Sequence, residues 1–78
     1  MADAIRDRVL QVLGKQAGYE PADLKPIDNL QGDLGLDSLD MEELQMALED
    51  EFGVEMSSRF FRNVRTVGGL IAFVAREV

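Results

Sequence analysis

Apolar residues recur along this chain at helical rather than strand spacing. Near the start they fall at Ile5, Val9, Val12 and Leu13, with Leu10 alongside, which places them on one face of a helix. Asp3 fits an N-cap and Gly18 a left-handed stop, so an amphipathic helix is predicted over about Asp3 to Ala17. A second stripe of Leu44, Ala47 and Leu48, extended in part by Met41 and Phe52, predicts a helix from Ser38 to about Phe52. Asp37 suits its N-cap, Asp40 three residues on suits a shortened capping box, and Gly53 supplies the stop. Val67, Leu70, Ile71 and Val74 predict a last helix over about Val67 to Arg76, capped by Thr66. Gly68 and Gly69 in its first turn weaken helix propensity, serving either close packing or motion. A short helix within residues 57–63, capped by Ser57 or Ser58, is expected between the last two.

Residues 18–36 carry no such period, and Pro21, Pro26 and Gly32 interrupt regular structure there. A connection this long needs anchors of its own. Leu24, Ile27, Leu30, Leu34 and Leu36 are the candidates, with a single helical turn near Pro21 to Leu24. No repeat, heptad run or strand-like alternation is present. The pattern predicts an all-α fold, a small bundle of three main helices plus one short helix, as a single domain over residues 1–78.

Composition narrows the function classes. With 46% hydrophobic residues the chain has enough apolar content to fold, though 78 residues give only a thin core. There is no Cys and no His, which removes Ser-His and Cys-His catalysis and the usual zinc ligands from this chain. A self-sufficient enzyme is not expected, and neither is a disulfide framework. No metal site is expected: a calcium loop begun at Asp33 would present Gly35, Ser38 and Leu44 at its third, sixth and twelfth positions, where an oxygen ligand, Gly and Glu are needed. Gly32 and Gly35 lack the further glycine and the Lys of a phosphate loop. The charged start and the lack of a long apolar run lead to the expectation of a cytoplasmic, non-membrane protein. Monomer is the expected state, since nothing in the pattern suggests a symmetric apolar interface.

The charge is not evenly placed. The net value is -7, yet from Asp28 to Glu55 there are ten acids and no Lys or Arg, a local charge of -10 against +3 for the remainder. Such a stretch is either a solvated face or a docking surface for basic partners. It would repel nucleic-acid phosphates, so no nucleic-acid binding is expected.

The chemistry concentrates at Asp33-Leu34-Gly35-Leu36-Asp37-Ser38-Leu39-Asp40. Ser38 follows the N-cap, so its hydroxyl stands outward at the positive end of a helix, where a phosphate is favoured. By itself a Ser here is an ordinary first-turn residue. The motif Asp37-Ser38-Leu39, however, within Gly35-Leu36-Asp37-Ser38-Leu39-Asp40 and followed by Glu43-Leu44, Met46-Ala47-Leu48-Glu49 and Glu51-Phe52, closely resembles the acyl carrier protein family. The order of elements fits that family across essentially the whole chain.

The resemblance implies that a phosphopantetheinyl transferase moves 4'-phosphopantetheine from coenzyme A to the Ser38 hydroxyl. It implies that acyl groups then ride as thioesters on that arm, in fatty-acid or related lipid biosynthesis. Asp37 would position magnesium-bound coenzyme A, with Leu39 beside it. The acids Asp40, Glu42, Glu43 and Glu49 would meet basic patches on acyl-loading and acyl-processing enzymes. Met41, Met46, Leu48, Phe52 and Ile71 are the candidates for an acyl pocket, adaptable Met suiting a pocket that changes volume; each could equally be plain core.

The chain departs from the family after Glu55. Met56-Ser57-Ser58-Arg59-Phe60-Phe61-Arg62-Asn63-Val64-Arg65 sets Arg59, Arg62 and Arg65 at spacing three, where fatty-acid carriers are acidic and polar. Phe60 and Phe61 cannot both face inward on a short helix. Either the arginines pair with the acidic helix, or Arg59, Phe60 and Arg62 form a patch read by a dedicated partner. A polyketide-type or D-alanyl carrier stays open as an alternative, as does an acidic helical interaction module without a prosthetic group.

Overall fold

A computed structural model describes residues 2–78, with side chains from residue 4 onward. It has four helices: α1 (Ala2–Ala17), α2 (Ser38–Phe52), α3 (Ser58–Phe61) and α4 (Val67–Glu77). The expected cap at Asp3 lies outside the described side chains. A 3-10 turn at Pro21–Asp23 interrupts the α1–α2 connection, where one helical turn was expected. α1 packs on both α2 and α4.

The elements form where local chemistry dictates. Asp37 caps α2 reciprocally with Asp40, and Gly53 ends it in the left-handed region, φ 67°. Ser57 caps α3 and Thr66 caps α4 through side-chain oxygens. The core is one cluster: Val9 and Leu13 of α1, Leu44 and Leu48 of α2, Phe61 of α3, and Val67, Leu70 and Val74 of α4. Each such side chain contributes roughly 1.5–3 kcal/mol through burial. Val12 and Ile71, read as inward, pack only partly buried at the margin.

The long connection is anchored as expected by Leu24, Leu30, Leu34 and Leu36, all buried. Ile27 is a correction: it is 81% exposed. The backbone around it is pinned to the start of α4, Gly68 N donating to Pro26 O and Val67 N to Asp28 O. Lys25 and Asp28 close the turn, which leaves Ile27 at its outer apex. Leu30 N also donates to Arg65 O, and Asn29 bridges Thr66. A Cβ on Gly68 would stand 3.2 Å from Pro26 O, so this glycine serves close packing.

Candidate functional site

The loop before α2 is built by two side chains. Asn29 Oδ1 accepts from Gln31 N and Gly32 N, and Asp33 Oδ2 accepts from Asn29 N. Gly35 then turns the chain with φ 75°, a region that disfavours any residue with a Cβ. The buried Leu34 and Leu36 pull the backbone inward on either side. Asp37, Ser38 and Leu39 emerge exposed, Leu39 by 61%. Asp40 N donates to Asp37 Oδ1 at 2.8 Å, and Asp37 N donates to Asp40 Oδ2 at 3.1 Å. Ser38 is thus the first residue of a 15-residue helix, with its hydroxyl at the positive end of the helix dipole.

A cavity of about 420 Å³ opens beside Ser38, between α2 and α3, lined by Gln31, Met41, Glu42, Gln45, Ser58, Phe61 and Arg62 besides Ser38 itself. Of the residues named for an acyl pocket, Met41 borders it. The others do not. Met46 is 63% exposed on the outer face of α2 and Leu48 is sealed in the core. Ile71 sits partly buried on α4. Phe52 lies at the far end of α2, about 20 Å along the axis, beneath the Arg8 guanidinium at 4.3 Å. Arg8 also donates to Glu51 Oε2 at 3.0 Å and to Glu51 O at 2.7 Å, tying α1 to the last turn of α2.

The structure adds Gln45 to the site. It is buried, and its Nε2 donates to Met56 O at 3.0 Å and Ser58 Oγ at 2.9 Å, holding α3 against α2. Its spacing from Met41 and Leu48 is the signal that marked the inward face and could have revealed it. Gln31 and Ser58 join the cavity from parts of the chain that carry no signal for it.

The acids of α2 divide by what they already do. Glu42 is exposed and free of hydrogen bonds among the described residues. Glu43, also exposed, accepts from Gln16 Nε2 at 3.2 Å. Asp40 is committed to the cap, and Glu49 Oε2 accepts from Met56 N at 2.7 Å. Among the described residues the ion pair present is Arg8–Glu51. Arg59, Arg62 and Arg65 therefore do not pair with the acidic helix, which removes the first of the two readings of that segment. Phe61 is buried, edge-on to Phe73 at 5.7 Å, and Phe60 is 63% exposed.

Residues 7–74 match the family described as the phosphopantetheine attachment site. An acyl carrier protein of Solidesulfovibrio magneticus is 35% identical over 74 residues, which cover 95% of each chain. The chain belongs to the acyl carrier protein family. Its fold agrees: a solved Mycobacterium tuberculosis chain assigned as an acyl carrier protein superposes with a TM-score of 0.84 at 29% identity, covering 92% of this chain and 96% of that one. The protein is accordingly a carrier and not an enzyme, and its prosthetic group is phosphopantetheine. It works with a phosphopantetheinyl transferase and with acyl-processing enzymes. The residues present fit that group: an exposed hydroxyl at a helix N-terminus suits a phosphodiester, and the adjoining cavity offers room beside it.

Proposed function

We propose that Ser38 is the attachment point of the arm and that the protein is a specialised carrier in fatty-acid or related lipid biosynthesis. The observation that carries the attachment reading is the exposed Ser38 hydroxyl at the first position of α2, fixed by the Asp37–Asp40 capping box. When bound, the arm supplies the thiol for acyl thioesters that a Cys-free chain cannot provide. Asp37 orients the first turn and presents a carboxylate next to the hydroxyl that accepts the group. Leu39 offers an apolar contact to whatever enzyme approaches Ser38. Glu42 and Glu43 form the charged docking edge, steering basic partners toward the same end of α2. Asp40 serves that edge by capping the start of α2, and Glu49 ties the following Met56 backbone to the helix.

Arg59, Phe60 and Arg62 form a second, basic-aromatic contact on α3, the feature that sets this carrier apart from the acidic third helix of fatty-acid carriers. The working state is monomeric and cytoplasmic; no helix among the described residues is long and apolar enough to cross a membrane. The test is direct. Apo protein with coenzyme A, magnesium and a broad-specificity transferase gains the mass of one phosphopantetheine, and Ser38→Ala does not. A gain that survives in Ser38→Ala would place the arm elsewhere.

A further inference from the structure

The cavity beside Ser38 ends on a polar wall. Gln45 lies two turns along α2 from Ser38, about 10 Å at 1.5 Å per residue. Among the described residues it is the one polar side chain in the core, 9% exposed. Both hydrogens of its Nε2 are spent, on Met56 O and on Ser58 Oγ. Its Oε1 accepts from no described residue. No unpartnered side-chain oxygen or nitrogen among them is fully buried, so this oxygen keeps some exposure, and Gln45 borders the cavity. Leu44 and Leu48 on the same helix are fully buried in the core and do not line the cavity, whereas the buried Phe61 does. The Met56 N to Glu49 Oε2 bond at 2.7 Å ties the same stretch down a second time.

We infer that this cavity is shaped for a short hydroxyacyl group whose hydroxyl donates to Gln45 Oε1, and not for a long saturated chain. The inference rests on attachment of the arm at Ser38. A saturated chain that reaches Gln45 strips water from Oε1 and returns no hydrogen bond. One that goes deeper must part Gln45 from both Met56 and Ser58. A hydroxyl at the same depth satisfies the oxygen and leaves the clasp closed. At the mouth, Gln31 and Arg62 offer donors to carbonyl oxygens, while the Glu42 carboxylate opposes a group that ends in a second carboxylate. Gln45 is thus a specificity-determining residue, standing where an apolar side chain would let an alkyl chain pass.

The test loads the apo protein from 3-hydroxybutyryl-, butyryl- or octanoyl-coenzyme A with a broad-specificity transferase. Intact mass of wild type and Ser38→Ala confirms each load and its site. Cleavage of each thioester by hydroxylamine is then timed, and the Gln45 side-chain amide is followed by NMR. The hydroxybutyryl form is expected to be cleaved about fivefold more slowly than the butyryl form, the scale of one net hydrogen bond, and to shift the Gln45 amide signals. The octanoyl form is expected to be cleaved as fast as the butyryl form. In Gln45→Val the order reverses, with octanoyl protected and hydroxybutyryl exposed. Octanoyl protection in wild type equal to or above that of hydroxybutyryl, or an unmoved Gln45 amide, would overturn the cavity inference while leaving attachment intact. Failure to load any of the three would sink attachment and the cavity inference together. The wild-type series decides the matter even if Gln45→Val does not fold.

Discussion

Asp37→Asn and Asp37→Ala both remove the carboxylate that precedes Ser38, but only alanine removes the cap. In the structure Asp37 Oδ1 accepts from Asp40 N at 2.8 Å, a bond that an Asn side-chain oxygen reproduces. The return bond uses the backbone N of residue 37 and survives both changes. Losing the cap costs about 1 kcal/mol. Losing the negative charge at the helix N-terminus costs about 0.3–1 kcal/mol, offset in part by relief of repulsion from Asp40 and Glu42, and it is lost equally in both variants. The difference between the variants therefore isolates the cap. It amounts to about 1 kcal/mol, or about 4–8 °C in Tm for a domain of this size. Transferase kinetics report the other role. If the carboxylate positions coenzyme A through magnesium, kcat/KM for loading falls by about 10- to 100-fold in both, the scale of one charged contact. Thermal unfolding by circular dichroism and a loading time course read the two effects separately. Equal Tm values for the two variants would refute the capping argument, and wild-type loading by Asp37→Asn would refute the role in transfer.

Adjacent phenylalanines should behave oppositely. Phe61→Ala, which empties a buried site against Phe73, should cost about 3–5 kcal/mol in denaturant titration. Phe60→Ala should leave stability within about 0.5 kcal/mol and Ser38 loading unchanged, while weakening binding to an acyl-processing partner; equal effects on loading and binding would count against the α3 patch. Gly14→Ala should destabilise by about 1–3 kcal/mol despite a gain of about 1 kcal/mol in helix propensity, because the new Cβ would sit 2.5 Å from Tyr19 O; a rise in the unfolding midpoint would contradict this. Added salt should raise Tm by screening the acidic stretch, as the Debye length falls from about 30 Å at 0.01 M to about 10 Å at 0.1 M. Magnesium should match potassium at equal ionic strength, since no group of three or more acids among the described residues is placed to hold a metal; a clear excess for magnesium would reveal a site.

The bounds of α2 were legible because the signals at both ends are local. Asp37, Asp40 and Gly53 act within three or four residues of the backbone they cap, and the same holds for Ser57 and Thr66. The exposed Ser38 followed from its place after a cap, and the inward stripes from helical spacing. What the chain order could not show were contacts between distant segments. Arg8 meets Glu51 across 43 positions and covers Phe52, which the family resemblance had offered for a pocket. Ile27 faces solvent because Pro26 and Asp28 are tied to the first residues of α4, a constraint absent from its own neighbourhood. Gly14 makes room for the returning chain at Tyr19. Gln45 becomes a clasp only once Met56 and Ser58 are folded against it. Propensity, capping and periodicity are short-range and so can be read along the chain; which polar group shares a cavity with Ser38 depends on how the helices pack.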